Sequence, residues 1–153
     1  MSALDNLEKV VSLPSSDRLT LNPIVPDGEY LFRVLTYATC IKFGEARLEV
    51  KCSIIDGEYF GTNLSRWYCL DGLKGKPGDK GKFIPKKTGD FLIEYCKIFP
   101  LQRITRLDRI PMDNIFNLVI RARTRTVDKN NQQKKLPNQL QHSVIAEFLK
   151  AEV

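Results

Sequence analysis

Residues 114–135 combine a predicted strand with three arginines at alternate positions. Because successive side chains of a strand point to opposite faces, the arginines share one face. That face carries Asn117, Val119, Arg121, Arg123 and Arg125. The opposite face is apolar and can be buried: Phe116, Leu118, Ile120 and Ala122. Three guanidinium groups on one surface suit a partner with closely spaced negative charges, while a solvated edge strand protected by its charges is the alternative.

The polar run that follows, residues 127–135, has no apolar period and is predicted to be a loop. Its cations are Lys129, Lys134 and Lys135. They would extend the arginine surface toward the same anionic partner. Basic runs are weak evidence for nucleic-acid binding by themselves, so further residues are needed to support that function.

Aromatic residues beside cations supply that support. Proteins that bind single-stranded nucleic acid stack bases on aromatic rings and follow the backbone with Lys or Arg. Arg66, Trp67 and Tyr68 are consecutive, so at most one of the two aromatic rings faces a ligand, and a buried Trp67 is the alternative. Turn aromatics are predicted to be exposed or to cover the end of the fold: Phe43, Tyr59 and Phe60.

Residues 71–87 contain four glycines, two prolines and six lysines with few apolar residues, and are predicted to form a long exposed loop. Four of the lysines are interleaved with glycines and resemble a flexible phosphate clamp: Lys74, Lys76, Lys80 and Lys82. A loop that only aids solubility is the alternative.

One pattern indicates an enzyme. Asp27, after Pro26, together with Glu49 and Lys51, resembles the Pro-Asp…Glu-x-Lys motif of a nuclease superfamily, in which carboxylates hold a divalent metal. Glu49 and Lys51 share one face of a strand, but Asp27 lies in a Pro-Asp-Gly turn. The motif is short, so a metal-dependent nuclease is retained only as an alternative, and no catalytic residue or cofactor is assigned.

Length and composition are those of an ordinary globular protein. The 153 residues suffice for one domain with its own core, and 42% are hydrophobic and 27% charged. The formal net charge of +6 favours an anionic partner. No apolar run reaches the ~20 residues needed to span a membrane, and no signal peptide is recognised. A cytoplasmic protein without a membrane partner is expected.

The cysteines do not indicate a metal site. They are widely spaced, and the chain has a single histidine, His142. Buried thiols in a reducing compartment are expected, with Cys52 in the apolar register of its strand. The four positions are Cys40, Cys52, Cys69 and Cys96.

The elements that would position these residues begin with an N-terminal arm, residues 1–27. Ser2 can cap a short helix from Ala3 to about Leu13, which Pro14 ends. The domain proper, 28–153, is predicted to contain strands at about 29–39, 46–54 and 62–70, a helix at 91–99 capped by Thr88 or Asp90, and strands at 115–126 and 140–149. The second strand has the clearest alternation of apolar and polar residues.

Three strands, a helix and two strands is the order of the OB-fold, a five-stranded Greek-key barrel, so the predicted class is mainly β with an N-terminal helical arm. In this fold, a face formed by the second and third strands, with the loops after the first and fourth, binds oligonucleotides. The cationic tip at residues 127–135 is the loop after the fourth strand. The order of the elements and the position of the cationic tip are therefore both those expected of an OB-fold that binds nucleic acid.

Three sequence segments carry a resemblance to a known family: Gly28-Glu29-Tyr30, Ile55-Asp56-Gly57-Glu58-Tyr59-Phe60-Gly61 and Arg66-Trp67-Tyr68. They resemble small OB-fold single-stranded-DNA-binding proteins of phages and mobile elements. The resemblance spans residues 28–70 and implies DNA binding through the barrel face, in replication or recombination, without catalysis. That family often ends in an acidic tail that recruits partners, whereas this chain ends Lys150-Ala151-Glu152-Val153.

The sequence therefore predicts a single-stranded-DNA-binding protein with little sequence preference. RNA is an alternative ligand, and further copies of the chain or recombination and replication proteins are candidate partners. A protein-interaction module whose basic face docks an acidic partner is the remaining alternative.

Overall fold

The computed structural model of the protein describes residues 23–130 and 132–152. The helix predicted near residues 3–13 lies outside them. The strands are β1 Glu29–Lys42, β2 Glu45–Ile54, β3 Asn63–Lys74, β4 Gly78–Asp79, β5 Lys82–Pro85, β6 Val119–Val127 and β7 His142–Ala151. One α-helix, α1 Asp90–Ile98, and two 3₁₀ turns, Asp113–Ile115 and Asn138–Leu140, complete the described elements.

Five of these strands close into a barrel. The order is β2-β1-β6-β7-β3, and pairing of β2 with β3 completes the ring. Four of the contacts are antiparallel and β3–β7 is parallel. With α1 between the third and fourth barrel strands, this confirms the predicted OB-fold. None of the helices in the described ranges is long and apolar enough to cross a membrane.

The alternation predicted for β2 sets the inner and outer faces of the barrel. Leu48, Val50, Cys52 and Ile54 are buried, so the intervening side chains point outward. Burial raises the pKa of the Cys52 thiol. The expectation of buried thiols holds for Cys52 alone, since Cys69 and Cys96 are exposed and Cys40 is partly buried.

The arginine strand begins later than predicted. A 3₁₀ turn precedes it, and Asn117 has a left-handed backbone with φ of 63°. The amide of Asn117 donates to the carbonyl of Val34, so this turn is anchored on β1. From Val119 onward the predicted alternation is present, with Ile120 and Ala122 buried.

One of two bulges in β7 lies between Ile145 and Glu147 and interrupts the alternation of inward and outward side chains. Thr124 pairs with Ile145 and Arg123 with Glu147, so the ladder shifts by one residue. An inserted residue of this kind switches the face that later side chains occupy. Ser143, Ile145 and Phe148 are therefore the buried residues of β7.

The prediction of a structureless loop over residues 71–87 is wrong. β3 continues to Lys74 and pairs with β5, and β4 pairs with β1. Phe83 and Pro85 are buried. The amide of Lys80 donates to the carbonyl of Tyr37 at 2.9 Å. This hairpin is thus docked on β1 by backbone hydrogen bonds and one aromatic side chain.

The helix cap also differs from the prediction. Gly89 occupies the N-cap position and provides no side-chain hydrogen bond, and Asp90 is the first helical residue. Asp90 still suits that position because a carboxylate is favoured in the first turn of a helix. The helix is held instead by contacts of its inner face.

Gly81 marks the closest approach of the hairpin to β1. A Cβ there would lie 2.1 Å from Oγ1 of Thr39 and 3.1 Å from the carbonyl oxygen of Gly78. We expect Gly81→Ala to lower the free energy of unfolding by about 1–3 kcal/mol, the usual cost of overpacking. Urea unfolding, together with faster trypsin cleavage at Lys80 and Lys82, would measure this.

Gly72→Ala is the matched control because a Cβ at Gly72 meets nothing within 4 Å. Its effect should stay within about 0.5 kcal/mol. Equal stability of the two variants would contradict the proposed docking of the hairpin.

Candidate nucleic-acid interface

An open groove of about 840 Å³ crosses the outer face of β1, β2 and β3 and reaches β6 and β7. Residues from all five barrel strands line it. The principal lining side chains are Cys40, Lys42, Phe43, Arg47, Glu49, Lys51, Ser65, Trp67, Arg125, Val127, His142 and Val144. This is the face that the OB-fold order predicts for oligonucleotide binding.

The strand register brings the central side chains together. Glu49 pairs with Trp67, and Lys51 pairs with Ser65 across β2 and β3. Opposite residues on one face of an antiparallel pair have Cβ atoms about 4.5–5.5 Å apart. The outward half of the β2 alternation therefore forms the groove floor, beside the aromatic residue of β3.

Two aromatic side chains in the groove are accessible. Phe43 lies in the β1–β2 turn with φ of 52° and is 77% exposed. Trp67 is partly exposed, and the Lys42 ammonium lies 4.3 Å from its ring centroid. The Arg47 guanidinium lies 5.9 Å from the Phe43 ring. Each ring is thus accompanied by a cation, an arrangement that suits stacking of a base beside a bound phosphate.

Tyr68, predicted from the sequence as a ligand contact, lies in the core instead. It is 4% exposed and packs edge-on against Phe91 at a centroid distance of 5.2 Å. Its hydroxyl donates to Glu94. Burial and the neighbouring Glu94 carboxylate raise the pKa of Tyr68 well above its ordinary value. Of the two adjacent rings, therefore, Trp67 faces the groove.

Arg66 is among the residues that line the groove, but most of its side chain is buried. Its side chain is only 12% exposed, and its guanidinium donates twice to Glu94 and once to the carbonyl of Trp67. Burial alone would lower the pKa of Arg66, but the hydrogen bond to Glu94 and the charges of Tyr68, Glu94 and Asp90 more than offset that effect and raise it. Arg66 is engaged by the fold rather than presented to a phosphate.

Glu94 completes this network with Arg66 and Tyr68. The sequence analysis did not identify it. It is 3% exposed and, besides Arg66 and Tyr68, accepts a hydrogen bond from the backbone amide of Phe148 at 2.8 Å. A charged residue inside the apolar period of α1 was the available signal, because a buried charge requires a partner.

The arginines of β6 divide into two kinds. Arg123 pairs with Glu147 at 2.7 Å and Arg121 with Glu152 at 3.0 Å. Hydrogen bonding from Lys97, together with the positive charge of Lys97 and Arg123, lowers the pKa of Glu147. Arg125 instead lines the groove, and it forms no ion pair within the part of the chain that the structure describes.

The lysines of the hairpin do not line the groove. Lys74 pairs with Asp108 at 3.3 Å, and Lys80 lies 5.3 Å from the ring of Phe116. Lys76 and Lys82 are exposed. The predicted phosphate clamp is therefore a separate cationic surface on an ordered hairpin.

The cationic tip follows directly from the groove. Val127 and His142 pair at its end, and the chain turns beyond them through an isolated bridge between Lys129 and Lys135. The cations Lys129, Lys134 and Lys135 are all exposed. They could extend a backbone path that begins at Arg125.

Only two of the three residues of the nuclease-like motif lie in the groove. Glu49 and Lys51 line the groove, but Asp27 does not, and its carboxylate accepts a hydrogen bond from Thr126 at 2.9 Å. Among the described residues, no group of three or more His, Cys, Asp or Glu side chains could hold a metal ion.

Other exposed aromatics have mixed environments. Phe60 is exposed, whereas Tyr59 packs against Tyr30 with the ring centroids 6.1 Å apart. Of the two alternatives predicted for the turn aromatics, Tyr59 therefore fits the one in which the ring covers the end of the barrel. Lys42 and Arg47, which the sequence analysis did not single out, are the most evident additions to the site.

No protein-family model, curated protein or solved structure matches the chain.

The Glu94 network allows a test of what holds the groove together. We expect Glu94→Leu to lower the free energy of unfolding by roughly 3–5 kcal/mol, because it leaves a largely buried guanidinium with only the exposed carboxylate of Asp90, at 3.8 Å, as its countercharge. Arg66→Met combined with Glu94→Leu should regain part of that loss. Urea unfolding followed through the emission of Trp67, the only tryptophan, would measure each variant.

A double-mutant cycle gives the decisive comparison. If the effects of Arg66→Met and Glu94→Leu simply add, the two residues are not coupled. Additivity would contradict the role assigned to the network.

Proposed function

We propose that this protein binds single-stranded DNA along the groove, with bases stacked on Trp67 and Phe43 and phosphates held by surrounding cations. The observation that carries the proposal is the pairing of accessible aromatic rings with Lys42 and Arg47 in an open groove. Stacking contributes about 1–3 kcal/mol per base and tolerates any sequence, since every base has a π face. Binding over many sequences is therefore expected.

The phosphate contacts we assign differ from those indicated by the sequence. Four groove cations supply them: Lys42, Arg47, Lys51 and Arg125. The tip lysines continue the path. Arg47 also has a carboxylate partner, but Glu45 lies at 3.4 Å and its side chain is 58% exposed, so the pair is readily opened. Arg121 and Arg123 contribute less because closer and less exposed carboxylates, at 3.0 Å and 2.7 Å, already neutralise them.

The biological role rests on the sequence resemblance. Proteins of the resembled family act in phage or mobile-element replication and recombination, and we propose the same setting here. A single strand of RNA would present the same bases and phosphates, so it is the alternative ligand.

The first test is a titration of oligo-dT into the protein at increasing salt, read through Trp67 emission. If four cations meet phosphates, log affinity should fall with log salt at a slope of roughly −3, from about −0.7 per contact. Binding that ignores salt would contradict the phosphate path. Absence of oligonucleotide binding would favour docking of an acidic protein partner.

Two arginine variants sharpen this test. Arg125→Gln should make the salt slope shallower by about 0.7, since one phosphate contact is lost. Arg121→Gln is the matched control: it removes the same charge from the same strand face, but from a residue paired with Glu152. Equal changes of the salt slope in the two variants would show that Arg125 makes no phosphate contact that Arg121 lacks.

A nuclease is the second candidate because Glu49 and Lys51 share the groove floor. We expect no cleavage of single- or double-stranded DNA with Mg²⁺ or Mn²⁺, since Asp27 is held by Thr126 away from the groove lining. Gel electrophoresis after incubation would measure this. Cleavage that Asp27→Ala or Glu49→Ala abolishes would establish the enzyme instead.

A further inference from the structure

Glu49 is a carboxylate on the floor of a cationic groove, yet it forms no ion pair within residues 23–130 and 132–152. It lies between Arg47 and Lys51 on β2. The hydroxyl of Ser65 donates a hydrogen bond to Oε2 of Glu49 at 2.6 Å. The cross-strand neighbour of Glu49 is Trp67. The carboxylate is thus oriented by a neutral group beside the ring on which we propose a base stacks.

Other carboxylates around this surface are used differently. Glu45 pairs with Arg47 at 3.4 Å, Glu147 with Arg123 and Glu152 with Arg121. Each of these three carboxylates has a cationic partner. Oε1 of Glu49 has no hydrogen-bond partner among the residues that the structure describes, and an ionised carboxylate only accepts hydrogen bonds. Near a phosphate path it would repel the backbone, so its natural partner is a hydrogen-bond donor of a base.

We propose that Glu49 reads the base stacked on Trp67 and prefers guanine. Guanine presents two adjacent donors, N1–H and the N2 amino group, on its Watson–Crick edge, which matches the two oxygens of a carboxylate. Thymine presents N3–H between two carbonyl acceptors that a carboxylate repels. Bases of an unpaired strand expose this edge, and proteins read it by hydrogen bonding. Cytosine and adenine each present one amino group, so we expect their affinities to lie between those of guanine and thymine.

This inference rests on the proposed function and adds a preference at one stacked position. The experiment uses the full chain and oligonucleotides of about 15 nucleotides, enough to fill one OB-fold site. All-dT is compared with dT containing interspersed guanines, and with the same oligonucleotide carrying hypoxanthine, which lacks the N2 amino group. We expect guanine to tighten binding about tenfold, as one bidentate base contact does, and hypoxanthine to be intermediate.

Variants assign the preference to the side chain. Glu49→Gln should reduce the ratio of guanine to thymine affinity to near unity, while all-dT binding tightens because a carboxylate leaves the phosphate path. Ser65→Ala removes the hydroxyl that orients Oε2 and should lower the ratio with the carboxylate retained.

The outcomes separate the two proposals. Equal affinity for all three oligonucleotides would overturn the guanine preference and leave DNA binding intact. A guanine preference that persists in Glu49→Gln would also overturn it. Failure of every oligonucleotide to bind would overturn the proposed function and the preference together. The hypoxanthine comparison uses the unmodified protein, so it decides the question even if a variant folds poorly.

Discussion

The buried carboxylate of Glu94 is the interaction on which the rest of the barrel depends. β3 and β7 share a single parallel bridge, between Arg66 and Ile145. Glu94 reaches from α1 to both strands, accepting hydrogen bonds from Arg66 and Tyr68 on β3 and from Phe148 on β7. A buried charge is tolerated only when it is paired and hydrogen-bonded. The helix therefore fixes the contact at which the barrel closes.

That closure also explains why only some cations face the groove. Arg66 turns inward to Glu94, which directs its neighbour Trp67 outward by strand alternation. The bulge in β7 turns Glu147 outward, where it neutralises Arg123, and Arg125 remains at the groove. Arginines that are equivalent in the sequence pattern thus differ in their contacts because of their positions in the folded sheet.

Sequence reasoning recovered what is local. The alternation of β2, the apolar face of α1 and the order of elements suffice for the OB-fold, because each follows from spacing along the chain. The hairpin over 71–87 escaped prediction because backbone pairing with β3 and β1 holds a segment of glycines, prolines and lysines that has no apolar period. The division among the arginines, and the burial of Tyr68 rather than Trp67, depend on partners distant in sequence. Such pairings leave no periodic signal.

If the groove binds single-stranded DNA as proposed, the contact between Lys42 and Trp67 would couple base stacking to phosphate binding. The ammonium lies 4.3 Å from the ring centroid, so it occupies space that a stacked base would take. A cation–π contact at an exposed site is worth about 0.5–1 kcal/mol, and a stacked base about 1–3 kcal/mol. Replacement of the ammonium by a stacked base would therefore be favourable, and it would free Lys42 to contact the DNA backbone. Stacking of one base would then supply the cation for its own phosphate.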